Sequence, residues 1–420
     1  MQQFFEISEL QFSHSFSDSC ISSLAPVLIL YESIPFPVNV NRQLLKDTKD
    51  KLRLARYPSE EVLPADDWSQ GTKIAELKRV AEYWRDEFDW EVEEKAIITE
   101  FNHFKVLVDV AGYGPLQLHY VHEISNGKDA IPLLFSHGWP GRFLEIRKVI
   151  KQLANPKSPS TPAFHVVAPS IPGFGFSPAP TKPGIGPTRG AQAFDKLMNL
   201  GLGYDKYVLQ GGDFGSFITR SMAIQFPINP PTIRQPLTYI RYLLSSMLYS
   251  RWGKDAMAVR KNFEVDQSGY LEQQKTRPQT LGIALGDSPL GLLGWFMEKF
   301  HDWMDESNYK LNEREIVSFV MMHWIQAATP GLKFYYEAFY ASHDTESTFQ
   351  TYVPQPTGVS MYPKEQLHCP RDWATRVANI QYWKEHVKGG HFAPVEDPRQ
   401  FLEDLRDFFG SHMVTKALVK

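Results

Sequence analysis

The sequence predicts an α/β fold, a mostly parallel sheet with helices on both faces. Three observations carry this expectation. Short β-type runs follow one another from Phe104: FKVLVDV (104–110), LQLHYVHE (116–123), IPLLFSHG (131–138), FHVVAPS (164–170) and KYVLQGGD (206–213). Helical patterns separate the later runs, at Gly141 to Leu153 and Ala191 to Leu200, and such alternation builds parallel sheets. Glycines and prolines stand just past several strand ends, in HGWPG (137–141), PSIPGFGFSP (169–178) and GGDFG (211–215). In open α/β sheets that edge is where ligands bind.

Taken in chain order, Ile21 to Tyr31 (ISSLAPVLILY) reads as a short core strand, since a bilayer span needs about 20 apolar residues. Met1 to Glu9 carries two acids and no basic lead-in, which argues against a signal peptide. Helical stretches follow at Asn41 to Arg56 and Gly71 to Trp84, joined by proline-bearing loops. Ser125-Asn126-Gly127-Lys128 is expected to connect two early strands tightly, because these residue types favour turns. Gly173-Phe174-Gly175 lacks the remaining positions of a phosphate loop.

From Arg251 to Tyr340 the chain is helical and heavy in Met, Trp, Phe and Tyr. Aromatic stripes at helical spacing are ordinarily core. Inserted between sheet segments, such a block is also what a lid over an apolar pocket looks like. A strand in PTGVSMY (356–362), a helix near Arg371 to Val377, a strand at Asn379 to Val387 and a helix at Pro398 to Phe409 complete the pattern.

Composition narrows the function classes. Lys and Arg number 44 against 48 Asp and Glu, and are scattered, so no nucleic-acid partner is expected. Cys20 and Cys369 are the only cysteines, which excludes a disulfide framework and a cysteine-rich metal site. With no membrane span in the sequence, the expected setting is soluble and cytoplasmic.

GGDFGS (211–216) has the spacing of G-x-S-x-G, the strand-to-helix turn that presents a serine nucleophile, with Asp213 at the central position. Glu365 follows the late strand in MYPKEQLH, and His391 lies in KGGHFAP after the last strand. Nucleophile, acid, histidine is the chain order of the α/β-hydrolase triad. An aspartate nucleophile is informative about substrate. A serine that attacked a saturated carbon would leave an ether, whereas a carboxylate leaves an ester that water can cleave at the enzyme's own carbonyl. The attacked carbon is therefore expected to be sp3 and to carry a leaving group. Backbone N–H groups of Trp139 and Phe214 are placed to form the oxyanion hole, and Pro140 suits a cis bond in that turn.

A halide leaving group calls for donors such as an indole pair. An epoxide oxygen calls for an acid such as a tyrosine phenol. The chain has 18 tyrosines, and their spacing alone selects none of them.

At this point the chain resembles the epoxide hydrolases of the microsomal type, including soluble fungal members, from roughly Phe36 to Phe409. FPVNVNRQLLKDTKDKLRLARYP (36–58) is similar to that family's N-terminal meander domain. SHGWPG (136–141), PSIPGFGFS (169–177), GGDFGS, ALGDSPLGLLGWFMEKF (284–300) and GGHFAP (389–394) resemble its core signatures. The resemblance implies an α/β-hydrolase fold with residues 1–103 as the N-terminal segment, 104–250 and 346–420 as the core, and 251–345 as a helical lid. By local context it places the two lid tyrosines at Tyr270 (SGYLEQQ) and Tyr335 (KFYYEAFY), with Tyr336 the neighbouring alternative, and the acid at Glu365. It implies attack by Asp213 on a small lipophilic epoxide, tyrosine assistance to its oxygen, and hydrolysis of the ester by water that His391 and Glu365 activate. No metal or organic cofactor is implied, and a homodimer is the protein partner it admits.

The sequence departs from the family in two places. Phe214 stands where members often have Trp. PINPPTIRQPLTYIRY (227–242) is broken by prolines and lacks the strand with a His-x-Asn-like end, so a distorted lid entry and weakened activity are expected. The competing readings are a haloalkane-type dehalogenase and a catalytically weakened hydrolase-fold protein that binds an apolar ligand.

Overall fold

A computed structural model describes residues 3–8, 30–58, 64, 67–223, 251–341, 352–411 and 414. Among the described residues nine strands form one sheet: β1 (Gln3–Ser8), β2 (Ile34–Pro35), β3 (His103–Val110), β4 (Gly114–Glu123), β5 (Ile131–Ser136), β6 (Phe164–Pro169), β7 (Tyr207–Gly211), β8 (Val353–Met361) and β9 (Ala378–Glu385). Their spatial order is β2-β3-β4-β6-β5-β7-β1-β8-β9.

The α/β-hydrolase architecture is present, and its sheet is mixed. Where helices link the strands the pairing is parallel, in β5 with β6 and β5 with β7; β8 with β9 is parallel as well. Where a short turn links them, as between β3 and β4, the pairing is antiparallel. The five middle strands fall close to their expected positions. The turn at Ser125–Lys128 does join β4 to β5, yet β4 pairs with β6, so the connection crosses a neighbour and closes no hairpin.

β1 was not expected. It runs antiparallel to both β7 and β8 and fills the slot between them. Strands β7 and β8 thereby point the same way, and the C-terminal ends of β5, β7, β8 and β9 share one edge of the sheet. Of the strand expected at 21–31 only Leu30 and Tyr31 are described, in a helical turn and a turn. The anomalous stretch 227–242 lies outside the described residues.

The helix Trp90–Glu100 was also unexpected, and its burial explains why. Two of its core-facing residues are acids, which hides the apolar periodicity. Glu93 is buried between Arg147 at 2.6 Å and Arg314 at 2.7 Å. Glu94 accepts hydrogen bonds from the Val40 N–H at 2.8 Å and from Arg42 at 2.7 Å. These contacts fasten the N-terminal helices to the sheet domain and to the helical block at once. The pattern at Gly141 to Leu153 resolves into a 3-10 turn, Phe143–Lys148, and a short helix, Ile150–Ala154.

The helical block comprises Arg251–Asn262, Gly269–Thr276, Pro278–Asp287, Pro289–Trp303, Glu313–Trp324 and Thr329–Tyr336. Its buried aromatics join those of the sheet domain in a single apolar core. The final helix, Pro398–Phe409, spans the residues expected: Asp397 accepts from the Gln400 N–H, and Phe401, Leu402, Leu405, Phe408 and Phe409 face inward.

Candidate active site

The turn that carries Asp213 follows from two adjacent parallel strands. Ser136 of β5 pairs with Gly211 of β7, so the loops leaving them run side by side. Asp213 has φ 51°, a left-handed conformation that costs a non-glycine residue about 1–3 kcal/mol. The glycines around it are packing requirements. A Cβ on Gly215 would lie 1.9 Å from the Ser136 carbonyl, and one on Gly138 would lie 2.3 Å from Oδ1 of Asp213. Only bare backbone lets the two loops approach this closely.

The result is a carboxylate with two distinct oxygens. The N–H groups of Trp139 and Phe214 both donate to Oδ1 of Asp213, at 2.9 Å and 2.6 Å. Its Oδ2 faces Nε2 of His391 at 3.7 Å. Burial pushes the Asp213 carboxyl above the usual range, against the opposing pull of His391 and the two N–H donors. Trp139–Pro140 is a cis peptide bond.

Strands β8 and β9 deliver the other half. Glu365 follows β8 and accepts at Oε1 from Nδ1 of His391 at 3.1 Å and from the Gln366 N–H at 2.9 Å. That contact assigns the proton to Nδ1 in the neutral ring and leaves Nε2 facing Asp213. Burial opposes protonation of His391, but the charge and hydrogen bond of Glu365 hold it above its ordinary value. Burial likewise disfavours the charge on Glu365, whose carboxyl is nonetheless held well below the usual range, with His391 among the groups that stabilise it.

The helical block supplies the facing wall. Tyr270 and Tyr335 are 7% and 2% exposed. Trp139 stacks on Tyr270 with ring centroids 5.4 Å apart and meets Tyr335 edge-on at 5.6 Å. Phe214 packs against Tyr335 at 4.5 Å. The two residues whose N–H groups hold Asp213 therefore also support the two phenols with their side chains. Burial raises both phenols well above their ordinary value, and the charge of Asp213 adds to it. Tyr336 points elsewhere. Its ring packs at a tilt against Tyr340, centroids 5.1 Å apart, and it lines an outer cleft with Pro183 and Lys333.

Three buried residues at the site went unremarked in the sequence. The Pro140 carbonyl accepts from Arg142 at 2.6 Å and from Nε2 of His323 at 3.0 Å, which ties the Trp139 turn to the helix Glu313–Trp324. Glu145 accepts the Arg142 N–H at 3.0 Å. Its spacing from Arg142 is that of a helix-capping pair, the one local signal that could have drawn attention to it. Burial pushes the Glu145 carboxyl up to about 7, against the attraction of His391 and Arg142.

The chain is similar over most of its length to known epoxide hydrolases. A family model described as the epoxide hydrolase N terminus matches residues 33–146, and one described as the alpha/beta hydrolase fold matches residues 131–233. A Stigmatella aurantiaca protein named as an epoxide hydrolase is 36% identical, over 89% of this chain and 84% of its own. Epoxide hydrolase 1 of Sus scrofa is 31% identical, over 90% and 89%. The structure of Aspergillus niger epoxide hydrolase superposes with a TM-score of 0.75 at 29% identity, covering 91% of this chain and 97% of that one.

Proposed function

The chain belongs to the epoxide hydrolases, and from that premise we propose that it opens a small lipophilic epoxide to a vicinal diol through a covalent ester on Asp213. One observation carries the reading. Oδ1 of Asp213 is held by two backbone donors while Oδ2 faces His391, with two protonated phenols buried on the facing wall.

In the first step Oδ2 attacks an epoxide carbon. The carbon–oxygen bond breaks and the departing oxygen takes a hydrogen bond, then a proton, from Tyr270 or Tyr335. In the second step water attacks Cγ of Asp213 and gives one proton to Nε2 of His391. The carbonyl oxygen, Oδ1, becomes an oxyanion between the N–H groups of Trp139 and Phe214. Collapse expels the diol oxygen, which takes the proton from His391. The second water proton restores the phenol, so one water is consumed per diol. Glu365 holds the ring and stabilises its charged form.

Incubation with styrene oxide tests this reading: the diol should form with the parent chain and not with Asp213→Asn. A dehalogenase is the second reading. It is favoured by one observation: the indole Nε1 atoms of Trp139 and Trp303 are buried without a hydrogen-bond partner among the described residues. Halide release from a haloalkane, with no diol from styrene oxide, would select it.

A further inference from the structure

The two steps require two different positions beside Asp213, one for the epoxide and one for the water. The tyrosine wall defines the first. A second, small cavity reaches the same carboxylate, with Ser136, Glu145, Gln210, Asp213 and His391 among its lining residues and neither tyrosine present. The space open to the centre of a water molecule is about 10 Å³, close to the roughly 10–15 Å³ that one water occupies. No epoxide fits there.

The lining has the chemistry of a water site. A buried water needs two to four polar partners, and this wall supplies carboxylates, an imidazole, an amide and a hydroxyl. Ser136 is 1% exposed, and its buried hydroxyl has no hydrogen-bond partner among the described residues. Glu145 enters from the turn Phe143–Lys148 and commits Oε1 to the Arg142 N–H. Its second oxygen makes no protein hydrogen bond among those described. Glu145 also interacts electrostatically with both His391 and Asp213, yet neither step above uses it.

We propose that this cavity is the site of the hydrolytic water, and that Glu145 is the positioning residue that accepts one of its hydrogen bonds. The other hydrogen then faces Nε2 of His391, and the lone pair is turned toward Cγ of Asp213. Glu145 keeps its own charge state through the step. The inference rests on the covalent ester of the preceding section. It differs from a purely structural role, in which Glu145 only caps its turn and keeps Trp139 in place. A displaced Trp139 would impair attack on the epoxide as much as hydrolysis of the ester.

The test separates the two steps. Enzyme in excess is mixed with styrene oxide, quenched at intervals, and the ester on Asp213 followed by intact-mass spectrometry. Glu145→Gln retains an acceptor oxygen for the Arg142 N–H. Its ester should form within about two-fold of the parent rate and decay about 10²-fold more slowly, in the range of a lost acid–base partner. Ser136→Val, which puts a larger apolar side chain at another lining position, should show the same split if Glu145→Gln does not fold. Parent-like decay in either folded variant, or equal slowing of both phases, would overturn the inference. A parent enzyme that turns over without forming any ester overturns the covalent reading itself, and this inference with it.

Discussion

The two walls of the site are held by different physics. On the sheet side, Asp213 is fixed by backbone: two N–H donors, a left-handed φ, and glycines that no side chain can replace. On the helical side, Tyr270 and Tyr335 are fixed by ring packing against Trp139 and Phe214. Backbone constraints tolerate little, because the atoms involved cannot be repacked. Ring packing tolerates volume-conserving change. The sheet side should therefore fail abruptly when altered, and the helical side by degrees.

The largest effect is expected at His391. With His391→Gln, Asp213 can still attack, but water is no longer activated, so turnover should fall by about 10³–10⁴-fold while the ester accumulates. Intact-mass spectrometry after addition of epoxide checks it. Parent-like turnover without an adduct would remove His391 from the mechanism. Next comes the helical wall. The double substitution Tyr270→Phe, Tyr335→Phe should nearly abolish ester formation, while each single change costs on the order of 10–10³-fold, as other lost donors do. Single changes as severe as the double would show that the two phenols act as one unit and would break the graded contrast.

A smaller effect separates rate from protonation. With His391 as the proposed base, hydrolysis should need its neutral form, so the rate should fall as the pH drops through the His391 pKa, which Glu365 raises. Glu365→Gln removes that charge and lowers the pKa. The acid limb of ester hydrolysis should move to lower pH, with a rate loss smaller than that of His391→Gln. A limb that stays in place, or moves up, would contradict the contact between Glu365 and His391. The phenols, held above their ordinary value, should give no alkaline limb below about pH 10. The smallest effect is expected at Tyr336, which lines the outer cleft: Tyr336→Phe should stay within about two-fold, the range of ordinary surface changes. A large loss there would move the second phenol by one position.

What the sequence made legible follows the same division. The glycines of GGDFGS and HGWPG mark places where backbone meets backbone, and that constraint is written in residue type. Asp213, Trp139 and Phe214 could be located from it without any relative. The phenols could not, because ring packing among 18 tyrosines leaves no local signature; it took the family resemblance to choose Tyr270 and Tyr335. Strand β1 was illegible for a related reason. Its partners, Tyr207–Gly211 and Thr357–Ser360, lie hundreds of residues away, and no local period announces them. The helix Trp90–Glu100 was hidden by its buried acid Glu93, whose partners Arg147 and Arg314 are likewise distant in the chain; Glu145 offered only its capping spacing from Arg142, which says nothing of the distant residues it meets around Asp213.

The measurement that bears most directly on the whole account is a single turnover in ¹⁸O-labelled water with enzyme in excess. If Asp213 forms the ester, the oxygen added to the substrate comes from its own carboxylate. The first diol should then be unlabelled, and peptide mass spectrometry should find the label in Asp213. Label in that first diol, with none in Asp213, would mean that water attacks the epoxide directly and would contradict a nucleophilic role for the carboxylate.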